Sequence, residues 1–450
     1  MSKSRKALAA CALAGLVLLA AALLALWAKP PDLIRVAANY TAKSVCSNVF
    51  IAKRDPAEVL ASDVQAPGNP ILKLMRVTVD RTTGVVRAGL FGFIGGGLAV
   101  ARSNVGCAAM PDGRLDAARA DVGPAPATGP EPLRRDLIVT IPALQDVIAN
   151  DELAGPGMRA VVVVNHGRLA AERYGPGFGP ATPQLGWSMT KSVTAGLIGL
   201  LVKEGRLALD QPAVVGRAAS GRFTIADLLG MTSGLDFNEG YGTVSDVTRM
   251  LYLEPDMAGF AASKPSIHPP GEVWSYSSGT AVMLARIFQD AAGPDAISYV
   301  RQRLFAPLGM RSAVMETDEQ GTLVGSSYMY ATPRDWARYG QMLAQDGLWQ
   351  GQEILPPGYV AMMSSPVAAS GGDYGHGMVW CRLSHDDAPA AGPDAAHDLP
   401  ADTYWMSGHD GQYVAIVPSR QLVVVRMGLT PEHDHYRPEP LVVAVLRAIR

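Results

Sequence analysis

A chain of 450 residues is long enough for two or three domains and a large buried core. With 48% hydrophobic and only 18% charged residues it is not a disordered chain, and a formal net charge of -2 supplies no basic field for nucleic acid. The 39 basic residues are nine lysines and thirty arginines, so a lysine in an apolar context stands out.

Lys3, Arg5 and Lys6 precede residues 7–27, a run of 21 residues without a charge. As a helix such a run spans about 30 Å, the hydrocarbon thickness of a bilayer. The apolar core of a removed signal is usually about 7–15 residues, and Leu26-Trp27-Ala28 is a poor cleavage site. The expectation is therefore a single-pass anchor over residues 1–28, its basic flank cytoplasmic and the rest facing the periplasm of a bacterial inner membrane. Secretion after cleavage is the alternative. Cys11 follows Leu8-Ala9-Ala10 as in a lipoprotein box, but the apolar run comes after it, so it reads as membrane-embedded.

Residues 29–120 form a small exported region after the helix-breaking Pro30-Pro31, with β-like runs at 75–80 and 85–90 and the glycine-rich Gly95-Gly96-Gly97. Export makes a disulfide between Cys46 and Cys107 the expectation, and such a bridge typically stabilises by about 2–4 kcal/mol. Cys381 lies in an apolar stretch and reads as a buried thiol, and the lack of C-x-x-C argues against a structural zinc or redox pair. Residues 121–132, with four prolines and two glycines, read as a linker.

Residues 133–450 make one large catalytic unit. It opens with a helix and a strand–turn–strand pattern, 159–164 and 168–174, with His166 in the turn. It closes with apolar runs at 413–418 and 421–427 and a helix over 441–449. Mostly helical patterns lie between, and residues 384–402 read as a solvated loop. The architecture expected is α+β: an antiparallel sheet built from both ends of the unit, flanked by helices, with a helical subdomain inserted.

The G-x-S-x-G elbow of α/β-hydrolases is absent. Gly186-Trp187-Ser188-Met189-Thr190-Lys191 instead leads into a run that is apolar on all sides, hence a buried helix. Three residues apart, Ser188 and Lys191 share a face. Burial favours a neutral lysine able to take the serine proton, and the free N–H groups of a helix start suit a developing oxyanion. S-x-x-K arises about once or twice by chance in a chain of this length, and Ser188 as a plain N-cap is the structural alternative. This is the only S-x-x-K present, however, and its lysine opens a helix too apolar for a surface residue.

Two further segments accompany it, Pro270-Gly271-Glu272-Val273-Trp274-Ser275-Tyr276-Ser277-Ser278-Gly279 and Ser407-Gly408-His409-Asp410-Gly411-Gln412. With Leu228-Leu229-Gly230-Met231-Thr232-Ser233-Gly234-Leu235 and Tyr330-Ala331-Thr332-Pro333-Arg334-Asp335, in this order, the chain resembles the serine β-lactamase and penicillin-binding superfamily. The closest branch is that of class C β-lactamases, DD-peptidases, family VIII esterases and 6-aminohexanoate-dimer hydrolases. The resemblance covers about residues 133–450 and implies a β-lactamase/transpeptidase-like fold. It further implies Ser188 as acylated nucleophile, Lys191 as its base, and Tyr276 as proton shuttle, with its pKa lowered by Lys191. The backbone N–H groups of Ser188 and Gln412 would form the oxyanion hole.

Two departures bear on substrate. Ser278 stands where Tyr-x-Asn is common, and His409-Asp410-Gly411 where Lys-Thr-Gly is common. Imidazole is not a permanent cation at pH 7, so the partner for a β-lactam or peptide carboxylate is missing. Phe237-Asn238-Glu239-Gly240-Tyr241 resembles the nylon-oligomer hydrolase branch, which makes Tyr241 a second tyrosine toward the leaving amide; packing of the loop is its alternative. Substrate contacts are thus expected at Tyr241, Ser278, His409 and Gly411.

Thr332-Pro333 reads as a helix start with no chemistry, and Trp187, Trp274 and Trp405 as pocket-lining or core residues. His433-Asp434-His435 lacks a third ligand, so neither metal nor organic cofactor is expected. The function expected is cleavage of a small ester or linear amide through an acyl-enzyme. A DD-peptidase, a β-lactamase and a non-catalytic peptidoglycan-binding protein are the alternatives, and oligomeric state stays open.

Overall fold

The computed structural model describes residues 3–115, 141–215, 223–383 and 398–449. The stretch read as a linker, 121–132, and most of the loop read at 384–402 lie outside the described residues.

The catalytic unit is built on a five-stranded antiparallel sheet ordered Tyr404–Gly408, Gln412–Val417, Leu422–Gly428, Met158–Asn165, Arg168–Tyr174. Both ends of the unit thus meet in one sheet, as expected, and the edge strand Tyr404–Gly408 is an addition to the sequence reading. Side chains alternate across the sheet. Val161, Val163, Ala415, Val417, Leu422 and Val424 pack with the helices Pro142–Ala149 and Glu439–Ala448. Val162, Val164, Val414, Ile416, Val423 and Val425 face the helices Met189–Lys203 and Pro333–Ala344. Coverage on both faces explains why Val161 through Val164 form an unbroken apolar run rather than an alternating one.

The inserted helical part includes Ile225–Leu229, closed by a capping box between Thr224 and Asp227, and the buried helix Ser278–Ala292. Thr332 caps Pro333–Ala344 by accepting the Asp335 N–H, as the sequence indicates.

The N-terminal region folds as a small module with its own core. The strands Met75–Asp80, Val85–Leu90, Ile94–Arg102 and Gly106–Ala109 form a four-stranded meander against the helix Asp32–Phe50. The sequence reading has the first two strands but not the helix, for a physical reason. Most of its residues are buried, several of them Ala, Ser, Thr and Asn, between its own sheet and the catalytic unit. No solvated polar face remains to produce a readable period.

Cys46 on that helix is joined to Cys107 on the last strand across a sequence separation of 61. Replacing both by alanine is expected to cost about 4 kcal/mol, the usual scale for a closed loop of this length, measured by chemical denaturation of oxidised parent and variant. Cys381 is partly buried rather than fully so; its thiol donates to the Ser364 carbonyl, and burial pushes its pKa up to about 11.

Preceding the module, the helix Lys3–Ala28 contains Cys11–Ala28, 18 residues apolar enough for a signal or an anchor. Cys11 is exposed on it, and Leu23 and Leu26 touch the module's core.

Candidate active site

The structure places Ser188 at the start of the helix Met189–Lys203 and Lys191 one turn in, with 1% of its surface exposed. Lys191 Nζ is 2.9 Å from Ser188 Oγ, 3.1 Å from Ser278 Oγ and 3.1 Å from the Ser326 carbonyl. Ser188 makes no side-chain cap, so its hydroxyl is committed to Lys191 and not to the helix end. The plain N-cap reading fails on that contact. Burial pulls the Lys191 pKa down to about 8, against the opposing charge of Glu239. Once the amine is neutral, the Ser188 contact can reverse, with Oγ–H donating to Nζ.

The backbone before Ser188 is tightly held. Trp187 takes a φ of 47°, a left-handed conformation that costs an ordinary side chain about 1–3 kcal/mol. Gly408 at the end of the edge strand lies against the Gly186 carbonyl, where a Cβ would come within 2.2 Å of the oxygen. Only glycine allows the strand end to approach the backbone before Ser188 this closely.

Tyr276 lines the cleft beside Ser188, and burial together with the Glu239 charge raises its pKa. This corrects the expectation of a tyrosine acidified by Lys191. The ammonium sits over the ring, 4.7 Å from its centroid, while the nearby carboxylate opposes ionisation. Tyr276 is therefore a protonated phenol, suited to donating. Trp380, absent from the sequence reading, stacks on it at 5.9 Å, and Trp274 packs at its edge with ring centroids 6.4 Å apart.

Glu239 is the principal residue that the sequence reading missed. Its carboxylate accepts the Ser278 N–H at 2.8 Å and the Ser278 hydroxyl at 2.5 Å. Ser278, in the position where asparagine is common, thus accepts from Lys191 and donates to Glu239, bridging amine and carboxylate. Burial raises the Glu239 pKa, and Lys191 opposes that rise. The only sequence signal was its place two residues before Tyr241.

Tyr241 lines the cleft with Glu239, and its ring stacks on His409 at 5.4 Å. His409 in turn stands edge-on to Trp187 at 5.7 Å. These rings line a cleft of about 840 Å³ together with Ser188, Tyr276, Gly408 and Gly411. Gln412 does not line it. Its backbone pairs with Gly408 across the hairpin, and its side-chain amide donates to the carbonyls of His409, Asp410 and Gly428. The three-residue turn 409–411 leaves Gly408 through Gly411 as the cleft wall and sets Gln412 behind it. Arg426, 1% exposed, braces that turn by donating to the carbonyls of Gly411, Ala154 and Pro156.

Of the remaining candidates, Trp405 is a core residue and His166 a turn residue with φ of 50°. His433, His435 and Arg437 rim the cleft. Among the described residues no group of three His, Cys, Asp or Glu side chains is placed to hold a metal.

A flanked antiparallel sheet, a helical insert and a serine–lysine–tyrosine cluster at their junction define a β-lactamase/transpeptidase-like serine hydrolase superfamily member. The chain belongs to the Beta-lactamase family, whose model matches residues 148–442. It is 25% identical over 339 residues to the 6-aminohexanoate-dimer hydrolase of Paenarthrobacter ureafaciens, covering 69% of this chain and 81% of that one. Penicillin-binding protein 4 of Amycolatopsis lactamdurans is 28% identical over 284 residues, 52% of this chain and 69% of that one. Among solved structures, a putative 6-aminohexanoate-dimer hydrolase from Bacillus anthracis superposes with a TM-score of 0.56 at 22% identity, covering 73% of this chain and 89% of that one. A putative beta-lactamase from Bacteroides dorei gives 0.53 at 22% identity, covering 69% and 98%.

Proposed function

We propose that this chain is a serine hydrolase that cleaves an ester or a linear amide through an acyl-enzyme on Ser188. The observation that carries this reading is the buried Lys191 amine 2.9 Å from the Ser188 hydroxyl, its pKa pulled down to about 8. Neutral Lys191 takes the Ser188 proton as Oγ attacks the carbonyl carbon. In this reading the Ser188 N–H at the helix start and backbone N–H groups of the Gly408–Gly411 wall stabilise the oxyanion. Tyr276 then donates its proton to the leaving oxygen or nitrogen and is reprotonated by the neighbouring Lys191 ammonium, which holds the proton taken from Ser188. Water hydrolyses the ester on Ser188 by the same steps in reverse.

Esters and linear amides rank ahead of β-lactams and cell-wall peptides because His409 is packed between Tyr241 and Trp187, where a carboxylate-binding cation would be needed. The similarity to 6-aminohexanoate-dimer hydrolases points the same way. Arg437 on the rim favours a peptidase, since guanidinium can pair a peptide carboxylate. For location we infer an anchored enzyme facing the periplasm, supported by the basic flank, the apolar helix and the disulfide.

The test is the intact mass of the full chain after exposure to a fluorophosphonate. One adduct on the parent and none on Ser188→Ala is expected. A folded parent that takes up no adduct would overturn the hydrolase reading in favour of a peptidoglycan-binding role.

A further inference from the structure

The N-terminal module packs on the catalytic unit and walls a cavity beside the cleft. Leu33, Val36, Ala37 and Leu72 of the module close against Tyr252 to form an apolar cavity of about 270 Å³. Trp187, Tyr241 and His409 line both this cavity and the catalytic cleft, so the two are neighbours across one layer of rings. Trp187 precedes the nucleophile directly.

The position of the cavity indicates what fills it. Leu33 is in the first turn of the helix Asp32–Phe50, and the membrane-length helix ends just before it at Ala28. At the same end of the module, Leu74, Phe91 and Phe93 are 43%, 49% and 55% exposed. They form one patch: the Phe91 N–H donates to the Leu74 carbonyl, and the loop after Phe93 packs through Gly95 on Ile34 and Ala38. Exposed aromatic and aliphatic side chains beside an apolar helix are what a membrane interface accommodates.

We propose that the cavity is a site for a hydrocarbon chain and that the chain reaches it from the bilayer. This rests on the hydrolase reading above. The substrate is then an ester or amide of a long-chain acid, alcohol or amine, with its scissile carbonyl at Ser188 and its chain passing Trp187, Tyr241 and His409. Attack by Ser188 Oγ breaks the bond to the leaving alcohol or amine, which departs with the proton from Tyr276; water then releases the acid.

The test uses the full chain in phospholipid nanodiscs and two soluble series, p-nitrophenyl esters from acetate to octanoate and acetates from ethyl to octyl. In one series kcat/KM should rise about threefold per methylene until the cavity is filled, as expected for methylenes leaving water. Ile71→Trp and Thr243→Trp, on the cavity rim and melting as the parent does, should each lower the octyl-to-ethyl or octanoate-to-acetate ratio about 30-fold. Flat ratios in both series, or unchanged ratios in both variants, overturn the chain site, while acetate turnover and Ser188 labelling leave the hydrolase reading standing. Should turnover and labelling both be missing, a dansyl fatty acid still reads the cavity: saturable binding to Ser188→Ala, tenfold weaker with Ile71→Trp added, supports the site, and no saturable binding overturns it. Release of labelled fatty acid from nanodisc lipid supports the bilayer as source, and turnover confined to soluble esters overturns that source.

Discussion

Lys191→Met should slow fluorophosphonate labelling of Ser188 by about 10³-fold, the scale of removing a positioned general base, while leaving the protein at least as stable as the parent. The two effects differ in sign because the same burial causes both. The Lys191 amine is held where water is excluded, which destabilises its charged form and supplies a base of pKa about 8. Methionine keeps the volume and removes the cost of burying that group. The parent labelling rate should rise with pH through about 8 and level off above it, because only the neutral amine accepts the serine proton. Glu239→Gln removes the one charge that holds the Lys191 pKa up. The rising limb should therefore move to lower pH, and the plateau should fall as an amide NH2 replaces one of the two oxygens that accept from Ser278. Labelling rates across pH for parent and variant decide this; a limb that stays in place would show that the carboxylate does not govern the base.

The serine–lysine pair was legible in the sequence because it is local. Spacing of three on an apolar helix fixes both partners without reference to the rest of the chain. The strands at Met158–Asn165 and Leu422–Gly428 were legible for a similar reason, their valine runs admitting few other structures. Glu239 was not legible. It is an ordinary loop glutamate whose meaning comes from Ser278, 39 positions away. Gln412 shows the complementary limit: its motif was found, but a three-residue turn decides which backbone groups face the cleft, and turn length is a property of the folded hairpin. The cavity beside Trp187 joins side chains from residue 33 to residue 409, and no local pattern announces it.

Glu316→Ala should destabilise the protein by about 3–5 kcal/mol, the usual cost of removing one partner of a buried ion pair. Lys43 on the module's helix reaches Glu316 of the catalytic unit at 2.5 Å, with side-chain exposures of 2% and 0%. The carboxylate also accepts from the Ser47 hydroxyl at 2.9 Å and from the Cys107 N–H at 2.5 Å, so it ties helix and last strand of the module to one point. Its removal leaves an ammonium, a hydroxyl and an N–H buried together. Burial already draws the Lys43 pKa down to about 8 against the pull of Glu316, and without that pull the lysine should neutralise, which caps the loss. The double variant Lys43→Met with Glu316→Leu removes both charges and should recover most of the stability. Thermal melts of the three variants test the sign of that recovery. The same pair bears on the site, because the Lys43 ammonium lies 3.7 Å from the Tyr328 ring centroid and Tyr328 packs on Trp187 at 5.6 Å. Loosening this contact reaches Trp187, the residue before Ser188, through two rings. Glu316→Ala should therefore flatten the chain-length preference at temperatures where the protein is still folded, whereas the double variant should retain it. Stability recovered without the preference would mean that the charge on Lys43, and not the fit of the module, positions Tyr328 and Trp187.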